Sequence, residues 1–186
     1  TPKIDQFQNL LRPINYSDSA PGRGAVIVEH NGIKIGVINA IGRIFMNTYD
    51  CPFKGISNIL PTIKEETSVI ILDLHAEATS EKQAIGHYFD GKISAIFGTH
   101  THVQTADNRI LEKGTGYITD VGMTGDKNGI LGMKKEPILQ KFIDNMPTRF
   151  ETNHNATAMT NGVVFTIDPS TGKTLATKRI YEELDI

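Results

Sequence analysis

Residues 68–102 read SVIILDLHAEATSEKQAIGHYFDGKISAIFGTHTH, and the spacing within this stretch decides the fold. Residues 68–74 are mostly apolar and rich in isoleucine and leucine, which predicts a buried strand closed by His75. Ser80-Glu81-Lys82-Gln83 has the spacing of a capping box, and the helix it opens is predicted to stop at Gly91. Residues 93–97 form a second apolar run, followed by Gly98-Thr99-His100-Thr101-His102. Strand, helix, strand is a βαβ unit, which favours a parallel pair and a right-handed crossover. In open α/β sheets the carboxyl ends of the strands form the binding crevice. Here those ends carry three histidines, His75, His100 and His102.

Outward from this unit, residues 25–30 and 33–38 flank Asn31-Gly32, the strongest short hairpin signal, because both turn positions want positive φ. Residues 41–55, including Arg43, read as an irregular loop placed to close over the site. Residues 56–66 read as a helix interrupted by Pro61. Downstream, residues 116–121 predict a short strand and residues 122–132, with four glycines, a loop that also borders the site. Residues 137–145 predict a helix with proline in its first turn. Residues 157–167 and 174–181 predict a terminal hairpin, and residues 1–12 the tail of a helix and a loop. The fold class is α/β with antiparallel ribbons, and 186 residues suit a single domain, 1–186.

Composition narrows the function. A net charge of −2 argues against electrostatic wrapping of nucleic acid, although a bound metal could still attract a short RNA end. The single cysteine, Cys51, excludes an internal disulfide and suits a reducing, cytoplasmic setting. No stretch is long and apolar enough to span a membrane. There is no G-x-S-x-G elbow, no phosphate-binding G-x-x-x-x-G-K-[ST] loop and no G-x-G-x-x-G after a strand.

Metal chemistry is what remains. In an extended segment alternate side chains face the same way, so His100 and His102 are expected to point into one cleft beside His75. Imidazole suits zinc, iron and manganese. Three histidines make either a mononuclear site with an open position or part of a two-metal site. A two-metal site needs a bridging carboxylate, and the nearby candidates are Asp73, Glu77, Asp107 and Asp120. Asp73-Leu74-His75 has the form of a D-x-H ligand pair, with hydrogen bonding inside the sheet as the alternative role for Asp73. Glu77 reads as an outer partner or, in a mononuclear zinc hydrolase, as the base. Asp120 divides between a site role and capping the glycine-rich loop. His30, His87 and His154 read as surface residues.

Longer segments carry a resemblance. Asp73-Leu74-His75-Ala76-Glu77-Ala78-Thr79-Ser80-Glu81-Lys82, then Gly98-Thr99-His100-Thr101-His102-Val103-Gln104-Thr105-Ala106-Asp107, then Tyr117-Ile118-Thr119-Asp120-Val121-Gly122-Met123-Thr124-Gly125 closely resemble the YmdB-like branch of the calcineurin-type metallophosphoesterases. Gly42-Arg43-Ile44-Phe45-Met46, Asp50-Cys51-Pro52-Phe53 and Pro147-Thr148-Arg149-Phe150-Glu151 fit the same family.

The resemblance implies a metallophosphoesterase sandwich of mixed sheets flanked by helices. It implies two divalent or trivalent ions (Fe, Mn or Zn) and hydrolysis of phosphate esters, with 2′,3′-cyclic nucleotides as typical substrates and a metal-bridging hydroxide as nucleophile. His75 and His100 would ligate one ion and His102 the other; Asp73, Glu77 and Asp120 would stand behind them. The family's N-terminal metal-binding Asp, its bridging Glu and its Gly-Asn-His segment have no counterpart here. Asp73 is a poor substitute, because it shares a strand with His75. The chain, which begins at Thr1, is therefore expected to be the C-terminal portion of such a domain, incomplete at the N-terminus. Alone it should bind at most one metal ion, show little turnover and associate, either with the missing segment or with another copy as a homo-oligomer. The competing expectation is a non-catalytic binding or oligomerisation module that keeps the fold.

Overall fold

Asn31 and Gly32 adopt φ values of 50° and 77°, and this pair turns β1 (Ala25–His30) back onto β2 (Ile33–Ile41) as an antiparallel hairpin. The computed structural model describes residues 3–153 and 157–185. Before the hairpin lies one short 3₁₀ turn, Ile4–Gln6, in place of the expected helix tail.

The helix after β2, α1 (Pro52–Glu66), begins four residues earlier than its pattern suggested, so residues 41–55 are loop only as far as Cys51. Pro52 occupies the first turn, where the missing N–H leaves no hydrogen bond unmade. Pro61 lies inside the helix without ending it. The buried stripe Ile56, Leu60 and Ile63 packs on the sheet, and that burial outweighs a proline's local penalty.

β3 (Ile70–His75), α2 (Thr79–Tyr88) and β4 (Ala95–Thr99) form the βαβ unit, with β3 and β4 parallel. The expected capping box is absent. Ala78 is the N-cap, no side chain caps it, and Ser80 lies inside the first turn. Glu81 and Lys82 are instead buried, and both are committed to other parts of the fold. Gly91 adopts φ of 75°, but the helix has already ended at Tyr88.

β5 (Arg109–Ile110) and β6 (Gly116–Ile118) complete a six-stranded sheet of order β1-β2-β3-β4-β6-β5, in which β2, β3, β4 and β6 run parallel. Ile38, Leu72, Leu74 and Ile96 are fully buried at its centre, with Ile85 of α2 in the same core. The glycine-rich 122–132 segment, expected as loop, contains a short strand, β7 (Thr124–Asp126). After α3 (Lys135–Asp144), which ends at left-handed Asn145, β8 (Thr157–Ile167) and β9 (Thr174–Asp185) make the terminal hairpin. With β7 they form a second, antiparallel sheet.

The two sheets are tied by specific bonds. Gln104 Nε2 donates to the carbonyls of Gly162 and Ile180 at 2.9 and 3.0 Å. Thr174 Oγ1 donates to Ser94 O at 2.7 Å. The result is a mixed α/β fold, as the sequence indicated, and no described helix is long and apolar enough to cross a membrane.

Candidate metal centre

Register places the site. Ile41 pairs with His75 and His75 with Thr99, so β2, β3 and β4 end side by side. His100 follows Thr99 directly and turns back toward β3, with φ of 106°. His75 Nε2 and His100 Nδ1 then lie 2.9 Å apart, their rings nearly perpendicular at 85°.

Positive φ also changes the expected geometry. His100 and His102 both occupy left-handed backbone, at 106° and 65°, and the strand stops at Thr99. The alternation argument for an extended segment does not apply, because the chain folds instead of running straight. His102 is exposed and lines a cavity of about 370 Å³ with Met123, Leu131, Met133 and other residues of the 122–132 region. The structure therefore brings together His75 and His100, and not His102. Among the described residues no group of three His, Cys, Asp or Glu side chains converges as a metal ion's ligands would.

The two rings are held from behind. Thr99 Oγ1 donates to Asp73 Oδ1 at 3.2 Å, which leaves it to accept from His75 Nδ1 at 3.3 Å. Asp73 also accepts from Asn39 Nδ2 at 2.9 Å. Burial pushes the Asp73 carboxyl up, against the pull of these hydrogen bonds. Burial likewise pushes His75 down, helped by the neighbouring His100, which favours the neutral ring that metals bind. On the other side Glu77 Oε2 lies 2.9 Å from His100 Nε2. Glu77 is thus an orienting partner of His100.

With the far nitrogen of each ring bonded to an acceptor, the facing nitrogens present two lone pairs 2.9 Å apart, unless one holds an extra proton. A cation between them removes that repulsion. Two nitrogens bound at right angles to one first-row ion, with bonds of about 2.0–2.1 Å, stand about 2.9 Å apart. The donor pair fits one ion, and the outer partners match those of metal-bound histidines. Replacing Glu77 with Gln is expected to weaken metal affinity by about tenfold, because the ring loses its carboxylate partner but keeps an amide oxygen as acceptor. A competition titration with a chromophoric chelator measures this; loss of all binding would make Glu77 a ligand in its own right.

The loop carrying His100 is fixed by Asp120, which the sequence singled out, and by Lys82, which it did not. Lys82 Nζ reaches Asp120 Oδ2 at 2.9 Å, both side chains being essentially buried. Asp120 also accepts from the N–H groups of Thr101, at 3.0 Å, and Gly122, at 2.9 Å. Burial would raise Asp120, but these three donors outweigh it and hold the carboxyl below its ordinary range. Asp107 plays a similar part, accepting from Thr105 Oγ1 and from the N–H and hydroxyl of Thr119. Gly98 has no alternative, since a Cβ there would overlap the Thr119 carbonyl.

Glu81 accepts from the N–H groups of Arg43 and Ile44, and Gly42 N–H donates to His75 O at 2.8 Å. The Arg43 loop is thereby pinned at its root beside His75. The signal for Glu81 and Lys82 was their place next to Ile85 on the helix face that meets the core. His30 and His87 are exposed as expected, and His154 lies outside the described residues. Cys51 is free and half-buried.

Comparison with known proteins bears on the family and the fold. The model of a family described as YmdB-like protein matches residues 1–180. A 2′,3′-cyclic-nucleotide 2′-phosphodiesterase of Bacillus subtilis is 50% identical over 177 residues, covering 95% of this chain and 67% of that protein. The crystal structure of a hypothetical protein from Thermus thermophilus superposes with a TM-score of 0.90 at 36% identity, over 98% of this chain and 70% of that one. A structure described as a novel phosphatase from Mycoplasma pneumoniae gives 0.87 at 35% identity, over 98% and 68%. The chain spans about two thirds of the length of each of these relatives.

Proposed function

Because this chain belongs to the YmdB-like family, we propose that it carries the histidine side of a metallophosphoesterase site that acts on phosphate esters, with 2′,3′-cyclic nucleotides as the substrate class. The observation that carries the reading is the 2.9 Å approach of His75 Nε2 and His100 Nδ1, each ring anchored at its far nitrogen.

His75 and His100 would hold one Fe, Mn or Zn ion; His102 would serve a second only where acidic ligands beyond this donor set joined it. A divalent ion in such a place supplies positive charge to a phosphate ester and makes water a usable nucleophile at neutral pH. The protein's own residues orient the donors: Thr99 and Asp73 fix the His75 tautomer, Glu77 fixes His100, and the Lys82–Asp120 pair holds the loop between them. His102 and the Met123–Met133 cavity beside it would receive the organic part of the ester, since that cavity is lined mainly by apolar and backbone groups.

The family reading implies that the chain alone turns substrate over slowly, because two neutral imidazoles offer no negative charge to hold a second ion. Binding is therefore the better test. With one equivalent of Mn²⁺, the ³¹P resonance of 2′,3′-cyclic AMP is expected to broaden beyond its broadening by free Mn²⁺, and this excess should vanish in the His75→Ala/His100→Ala chain. Equal broadening with both chains would contradict the assignment.

Association with a second copy belongs to the same reading. Phe142 and Ile143 on α3 are 82% and 79% exposed, an apolar surface that oligomerisation would cover. Light scattering should show more than a monomer at micromolar concentration, and Phe142→Ser/Ile143→Ser should lower the mass; a monomer throughout would contradict this part.

A further inference from the structure

At the end of the sheet opposite the histidines lies a cavity of about 280 Å³ whose rim holds four lysines, Lys64, Lys92, Lys113 and Lys173, and no carboxylate. It sits where β3 and β4 begin, with Ser68 and Ser94 in its wall. His75 and His100 stand at the far ends of the same strands, roughly 17 Å away along β3.

From this arrangement we propose a second, anion-binding site that takes the phosphate chain of a small oligophosphate, either inorganic triphosphate or the triphosphate of a nucleotide. The chain as a whole carries a net charge of −2, so four ammonium groups around one hollow are a local concentration and do not reflect a basic protein. None of the four forms an ion pair among the described residues, whereas Lys34, Lys82, Lys127 and Lys134 all do. Three acids of the surrounding segments are committed elsewhere. Asp90 accepts from the N–H groups of Lys113 and Thr115, Glu66 pairs with Lys34, and Asp168 caps its own turn. Four lysines thus border one hollow with no ion-pair partner among the described residues, and an oligophosphate provides several negative charges.

The lysines are also positioned. Gly91 and Gly114, at φ of 75° and 101°, present bare backbone on which the stems of Lys113 and Lys173 lie; a Cβ at either glycine would press on those stems. Lys92 Nζ is held 4.5 Å from the centre of the Tyr88 ring. The wall beneath is fixed by hydrogen bonds from Thr174 to Ser94 O and from Ser68 to Pro169 O. The lining includes no aromatic side chain, so nothing in the cavity would stack on a base. The volume lies at the small end of ligand sites, which suits a phosphate chain better than a whole nucleotide.

The test is calorimetric titration of the EDTA-treated chain with sodium triphosphate at low salt, paired with amide NMR. Binding is expected, with shifts at Gly91, Gly114 and Gly172. Lys113→Ala/Lys173→Ala should weaken it at least tenfold without altering the circular dichroism spectrum. His75→Ala/His100→Ala should bind as the unmodified chain does, which separates this site from the metal centre. ATP should bind within a few-fold of triphosphate. The proposal is overturned if triphosphate fails to bind, if the lysine variant binds equally well, if the shifts gather around His75, or if ATP binds more than tenfold tighter.

Discussion

Lys82→Ala is expected to destabilise the fold by about 3–5 kcal/mol, because it leaves the Asp120 carboxylate buried without its counter-charge. For a chain of this size that lowers the midpoint of thermal unfolding by roughly 6–20 °C. The pair is worth more than a surface bridge because both side chains are nearly inaccessible to water, at 1% and 0% exposure. It also has consequences at the site. Asp120 accepts the Thr101 N–H between the two loop histidines, so losing its anchor should loosen His100. Asp120→Asn should behave similarly, leaving the lysine unpaired.

Acid shows the same linkage. Asp120 lies below its ordinary range in the folded chain, so its stabilisation is complete above the unfolded value, about 3.9. That stabilisation is lost as pH falls through the lower folded value. Between pH 4 and pH 2 the native chain should lose stability more steeply than Asp120→Asn. Equal slopes in urea unfolding across that range would contradict this role for Asp120.

The second large effect concerns metal. His75→Ala or His100→Ala alone should lower affinity for Mn²⁺ or Zn²⁺ by more than the roughly 10–100-fold seen when an outer partner is removed. Each supplies one of the two nitrogens that face each other at 2.9 Å. His102→Ala should have a far smaller effect on this first ion, because His102 borders a different cavity. If His102→Ala matched the other two, all three rings would share one ion and the folded loop would have to rearrange on binding.

Much of this was legible in the sequence, for identifiable reasons. The βαβ unit and the Asn31-Gly32 hairpin rest on local rules, period and turn chemistry, and both formed. The presence of His75 and His100 at neighbouring strand ends followed from parallel pairing alone. The direction of His102 was not legible, since it depends on two left-handed residues that only the surrounding contacts select. Those contacts come from Lys82, Asp120 and Gly98, which meet across the fold. A capping box at Ser80 gave way because Glu81 and Lys82 were needed inside. The early start of α1 could have been read from Pro52, had first-turn proline been weighed above the loop-like residues before it.

The chain is expected to hold one metal ion. The donor set is two neutral rings, and two doubly charged ions about 4 Å apart repel by roughly 17 kcal/mol even at an effective dielectric constant of 20. Metal analysis after dialysis against Mn²⁺ or Zn²⁺, with turnover of 2′,3′-cyclic AMP measured on the same sample, tests it directly. The expected result is one ion per chain, lost in His75→Ala/His100→Ala, with little turnover; two tightly held ions and robust turnover would contradict it.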